Sequence, residues 1–113
     1  MSLIYKISNK KDWEKTNKDS VFNGSEVDQR DGFIHFSTKE QLQETLEKHF
    51  QGQTDLLLIA VASEQLGQNL KWETAREGAL FPHLYTPLPK KHIVWEKPIE
   101  DMDDGTHRLP NDI

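Results

Sequence analysis

Apolar and polar positions alternate loosely from Leu3 to Ile7, which predicts an opening strand. The stretch "NKKDWEKTNKDS" that follows predicts a helix capped by Asn9, with Trp13 as its inward anchor. "VFNGSEVDQRDG" carries Gly24, Asp28, Asp31 and Gly32 without a helical stripe, so an ordered loop is expected there. In "DGFIHFST" a turn pair leads into Phe33, Ile34 and Phe36, interleaved with His35 and Ser37, the pattern of a short strand. From Thr38, "TKEQLQETLEKHF" sets Leu42, Leu46 and His49 or Phe50 on one helical face, with Thr38 and Gln41 spaced as a capping box. "QGQTD" breaks that helix, and "LLLIAVA" is a continuous apolar run with the length of a strand buried on both faces. It is the predicted central strand.

Downstream, "SEQLG" reads as one helical turn from Ser63 to Gly67, and "LKWE" as a pairing strand. "TAREGALFPHLYTPLP", with Pro82, Pro87 and Pro89, is expected to be a long ordered loop of the kind that often carries function. "HIVWEKPI" predicts a last strand, and the acidic residues 101–113 are expected to form a loose, flexible tail. The order of elements predicts a single small α+β domain over residues 1–100, with a mixed, mainly antiparallel sheet and two main helices.

Composition narrows the classes. At 113 residues, 35% apolar and 29% charged, the chain suits one soluble domain with one core. A net charge of -5 opposes nonspecific nucleic-acid binding, which rests on Lys and Arg displacing counterions. The absence of cysteine excludes disulfides, thiolate metal sites and cysteine nucleophiles. Nothing in the sequence has the apolar length of a signal peptide or a membrane span, so a cytoplasmic protein without a membrane partner is expected. The pattern specifies no oligomeric state.

Polar and aromatic groups concentrate in four places: "IYKIS" (Tyr5, Lys6, Ser8), "IHFST" (His35, Ser37, Thr38), "WETAR" (Trp72, Glu73, Arg76) and "FPHLYTPLP" (His83, Tyr85). His35 and Ser37, two apart on a strand, share a face, and an imidazole beside a hydroxyl can hold a ribose or a phosphate. The alternative is a half-buried imidazole satisfied by a carbonyl. Arg76 has the fork for a phosphate or carboxylate, and Glu73 can accept from a sugar hydroxyl, although the same spacing on a helix is an ordinary surface ion pair. Thr38 has a structural explanation as a helix cap. Neither HxH nor HxxxH spacing occurs, so no metal site is expected, and no GxSxG elbow marks a serine hydrolase. The candidate catalytic residues are His35, Glu73 and His83; the candidate ligand-binding residues are Tyr5, Lys6, Ser8, Ser37, Thr38, Trp72, Arg76 and Tyr85.

Taken in order, "IYKIS", "DGFIHFST", "WE" followed by Arg, and "FPHLYTPLP" resemble the bacterial domain of unknown function 952 family to about Lys97. More distantly, "IYKIS", "IHFS", "LLLIAV" and "PLPKKHIV" are similar in order to RNA 2'-phosphotransferases and other ADP-ribosyltransferase-like proteins. That resemblance implies a split β-sheet with an NAD-like nucleotide in its cleft. It sets Lys6 at the place of a first-motif His, Ile7 at that of a Gly, Ser8 at that of a hydroxyl residue, and His35 and Ser37 in the later His-x-Ser segment. Ile7 narrows the approach of a nicotinamide to the backbone, and a charged Lys6 cannot accept from a ribose hydroxyl. The expected function is therefore a polar cleft for a nucleotide-like small molecule, in a divergent or degenerate enzyme of the ADP-ribosyl type. The alternative is a noncatalytic module that binds a protein or metabolite through residues 72–89.

Overall fold

The computed structural model describes residues 2–15, 21–75, 78–111 and 113. In chain order the elements are β1 (Leu3–Asn9), α1 (Lys10–Glu14), β2 (Val21–Phe22), α2 (Glu26–Asp31), β3 (Ile34–His35), α3 (Leu42–His49), β4 (Leu56–Ala62), β5 (Leu70–Thr74), β6 (Leu80–Leu84), β7 (Leu88–Pro89), β8 (Ile93–Pro98), β9 (Glu100–Asp101) and β10 (His107–Arg108). Every pairing among these strands is antiparallel. The α+β class holds, and the parallel component of a mixed sheet is absent among the described strands.

The apolar run "LLLIAVA" is the middle strand of the order β1-β4-β8, as its two-sided hydrophobicity requires. Alternation sends Ile59 and Val61 to one side with Ile4, and Leu58 and Ala60 to the other with Tyr5 and Ile7. The first side packs on Trp13, Phe22, Ile34, Phe36, Leu84 and Leu88; the second is covered by Leu42 and Leu46 of α3. Trp13 is buried as expected, and Asn9 caps α1 by accepting the Asp12 amide at 2.7 Å.

A second sheet of order β3-β6-β5 corrects the long loop expected over 74–89, of which residues 76–77 lie outside the described residues. Leu80–Leu84 is its middle strand despite Pro82. The Pro82 carbonyl accepts the Phe36 amide at 3.0 Å, so the proline nitrogen also faces the short β3 side and no ladder bond to β5 is lost. Among the described residues one isolated backbone bridge joins the two sheets, in which Tyr5 and Ser37 exchange both hydrogen bonds, at 2.9 and 2.8 Å.

The loop expected over "VFNGSEVDQRDG" contains β2 and a helix, α2. Ser25 and Asp28 form a capping box, and Gly32 ends the helix in the left-handed region at φ 88°. The helix lacks an apolar stripe because the one residue it buries is Asp28. Among the described residues three α-helices thus stand where two main helices were expected, and α1 spans the five residues Lys10–Glu14. The described part of the C-terminal segment, expected to be loose, carries contacts: β9 pairs with β10, His107 is buried, and Leu109 and Ile113 pack on the second core. No described helix is long and apolar enough to cross a membrane.

Candidate functional site

The site lies where the two sheets part. Tyr5 and Ser37 pair, so a continuous antiparallel ladder would next pair Ile7 with His35. The His35 amide instead donates to Asp28 Oδ1 at 3.1 Å. The carboxylate of α2 takes the place of a strand, and the sheets open around it.

Asp28 is the hub. Its side chain is 2% exposed and accepts from Lys6 Nζ at 2.9 Å to Oδ1 and 2.7 Å to Oδ2, from the Ser25 amide at 2.9 Å and from His35 Nδ1 at 2.6 Å. Burial alone would raise its carboxyl, but the His35 hydrogen bond, the charge and hydrogen bond of Lys6 and the Ser25 amide together hold it well below the usual carboxylate range. Burial pushes the Lys6 ammonium down, against the pull of Asp28. His35 Nε2 lies 3.1 Å from Asp31 Oδ2, so both ring nitrogens face carboxylates on α2.

A second imidazole stands opposite. His35 and His83 are direct cross-strand partners in β3 and β6, with ring centroids 5.5 Å apart. His83 is paired in register with Lys71, and Glu73 two residues on shares that face. Glu73 Oε1 accepts from His83 Nδ1 at 2.9 Å and from the Tyr85 hydroxyl at 2.5 Å. The Tyr85 and His83 hydrogen bonds lower the Glu73 carboxyl, and the same Glu73 contact raises the Tyr85 phenol. Phe33 stacks on His83 at 4.2 Å and touches His35 and Tyr85 at 4.5 and 5.2 Å, which fixes the ring orientations.

Asp28, Asp31 and the two histidines border a cavity of about 820 Å³, whereas Glu73, Tyr85 and Phe33 stand behind its wall. Tyr5, Lys6, Ser8, His35, Ser37 and His83 all line it. Some of their polar groups are occupied within the fold. The Ser8 hydroxyl donates to the Asn9 carbonyl at 3.0 Å. Thr45 donates to the Gln41 carbonyl, so the Ser37 hydroxyl, 3.2 Å away, donates to Thr45 and not toward His35. Tyr5 is buried against Trp95, and burial together with Glu40 raises its phenol.

Thr38 sits outside the cleft as the cap of the turn leading into α3, its amide donating to Gln41 Oε1 at 2.9 Å. Trp72 projects from the opposite face of β5 to Glu73 and is 47% exposed. Arg76 lies outside the described residues. Glu73, His83 and Tyr85 are brought together as a unit. Asp28, Asp31 and Phe33 were not singled out from the sequence, although the Ser25-x-x-Asp28 spacing is a capping-box signal that would have drawn Asp28 onto a helix. No group of three metal-ligating side chains exists among the described residues.

Fold and site together define a small α+β protein whose two three-stranded antiparallel sheets separate at a histidine-lined cleft. Residues 7–96 match the family described as "Protein of unknown function (DUF952)", and the chain belongs to that family. It is similar to protein CC0527 from Caulobacter crescentus, whose crystal structure superposes with a TM-score of 0.91 at 47% identity, covering 96% of this chain and 95% of that one. The solution NMR structure of CC0527 gives a TM-score of 0.85 at 46% identity, covering 100% and 97%. No curated protein matches the chain.

Proposed function

We propose that the cleft binds a nucleotide-like ligand through its ribose and phosphate, and that the protein is a cytoplasmic, divergent transferase built on an ADP-ribosyltransferase-like plan. The observation that carries this reading is the pair of carboxylate-backed imidazoles, His35 on Asp28 and His83 on Glu73, facing each other on the wall of a cavity of nucleotide size. NAD itself suits the site less than other nucleotides. Ile7 lines the cavity at the position where the resemblance calls for a glycine, and the Lys6 ammonium is engaged by Asp28.

The test is an amide chemical-shift titration with AMP, ADP-ribose, a cyclic nucleotide and NAD. Saturable shifts at Lys6, Ile7, Asp28, His35 and His83 are expected with at least one of the first three, and are lost in His83→Ala. Unchanged spectra with all four would sink the reading. The protein would then be read as a noncatalytic module acting through the exposed end of the β5–β6 hairpin, where Trp72 and Leu80 are 47% and 52% exposed.

A further inference from the structure

The two histidines are not equivalent, and their difference assigns them opposite tasks. An ionised carboxylate only accepts, so the Glu73 contact fixes the proton of His83 on Nδ1. The neutral ring then presents a lone pair on Nε2, which makes no hydrogen bond to any described side chain. His83 is 7% exposed and lines the cavity, so this open nitrogen belongs to a nearly buried side chain. His35 differs: Nδ1 donates to Asp28, and Nε2 meets Asp31 Oδ2 at 3.1 Å, a contact that is a hydrogen bond only when that nitrogen also carries a proton. One ring is placed to offer a lone pair and the other, when both its nitrogens carry protons, to give one, with centroids 5.5 Å apart.

From this asymmetry we infer that His83 and His35 act as general base and general acid in cleaving or transferring a nucleoside phosphodiester. The inference rests on the nucleotide-binding reading above. In the step, His83 Nε2 removes the proton from a water or hydroxyl as its oxygen bonds to phosphorus. The bond from phosphorus to the leaving oxygen breaks, and its electron pair takes the proton from His35 Nε2. A phosphodiester and a hydroxyl compound are consumed, a new phosphoester and the released alcohol are formed, and exchange with solvent restores both rings.

Two observations favour this bond over a glycosidic bond to a cationic base. A cationic base leaves as a neutral molecule and needs no acid, whereas a ribose alkoxide does. Among the described residues the cavity wall also sets Asp12, Glu26, Asp28 and Asp31 against Lys6 and Arg30, which suits a singly charged phosphodiester better than a pyrophosphate.

The experiment compares two probes, a nucleoside 2',3'-cyclic phosphate with an alkoxide leaving group and a nucleoside p-nitrophenyl phosphate whose leaving group departs unprotonated. Binding is followed by chemical shift and turnover by phosphorus NMR. His83→Ala is expected to slow both probes by about 10²–10⁴-fold. His35→Ala is expected to slow the cyclic probe by a similar factor and the nitrophenyl probe by less than about 10-fold. Asp31→Asn, on the exposed end of α2, should reproduce the His35 pattern in a fully folded protein.

Equal losses on both probes in His35→Ala would overturn the acid role, and an Nε2-protonated His83 in nitrogen NMR of the imidazoles would overturn the base role. Binding of both probes without turnover would overturn the acid–base inference and leave the binding reading standing. Binding of neither would overturn both.

Discussion

Replacing Asp28 with Asn removes one charge from the interior at almost constant volume, which makes it the sharpest probe of how this molecule is held open. The Asp28 and Lys6 side chains are 2% and 5% exposed, so water screens the pair little, and the variant leaves the Lys6 ammonium buried without its partner. Breaking such a buried pair costs about 3–5 kcal/mol. The whole stability of a domain this size is about 6–17 kcal/mol. With a urea m-value near 1.5 kcal/mol per molar, the midpoint falls by about 2–3 M. The assay is urea unfolding followed by tryptophan fluorescence and far-UV circular dichroism. Adding Lys6→Met to Asp28→Asn removes the stranded charge and should recover about 1–3 kcal/mol of the loss.

The pH dependence follows from the same contacts. The folded carboxyl of Asp28 is depressed, so its contribution is complete above the unfolded value of about 3.9 and disappears as pH falls toward the lower folded value. The fall in stability of the wild type below about pH 4 should therefore flatten in Asp28→Asn. A loss under about 1 kcal/mol for the single variant, or strict additivity in the double, would refute the argument that this pair is a desolvated, coupled unit.

Three further outcomes are expected. Gly24 has φ 101°, and a Cβ there would lie 2.8 Å from the Asp28 Cβ, so Gly24→Ala should cost about 1–3 kcal/mol in urea unfolding; Gly52→Ala, at φ 81° in open space, should show only the left-handed strain of about 1 kcal/mol. Leu46→Ala, at 1% exposure against the second face of the central sheet, should cost about 2–5 kcal/mol by thermal or urea unfolding; a smaller loss would mean that α3 does not seal that core. His107 Nε2 meets the Gln53 carbonyl at 2.6 Å, so His107→Ala should cost about 1–3 kcal/mol and speed hydrogen exchange at Met102 and Gly105; unchanged exchange would show that other contacts hold the C-terminal hairpin.

The parts of the fold legible in the sequence were those written in apolar periodicity. "LLLIAVA" announced a strand buried on both faces, and Leu42 and Leu46 marked the inner face of α3. α2 was hidden because it buries a carboxylate, which hydropathy patterning reads as surface. β6 was hidden because Pro82 argues against a middle strand until it is known that its nitrogen faces the end of a two-residue neighbour. Of the site, the two histidines and Glu73 could be picked out by type and spacing. Asp28 could not, because its importance depends on contacts with Lys6 and His35, 22 and 7 residues away.

A purely structural reading of these polar groups meets a physical difficulty. Burying an ammonium and a carboxylate together stabilises a fold no better than an apolar pair of similar volume, so stability alone gives no reason for Lys6 and Asp28. Their geometry suggests another. An apolar side chain at position 28 could not accept the His35 amide, and β3 would be free to continue its ladder toward Ile7 and close the gap. The carboxylate that keeps the sheets apart also holds the proton of the His35 ring on Nδ1. Under the proposed function, opening the cleft and orienting the His35 ring are tasks of one side chain, so Asp28 variants should lose fold stability and nucleotide binding together, whereas Glu73 variants, at the exposed end of the other pair, should affect nucleotide binding far more than the fold.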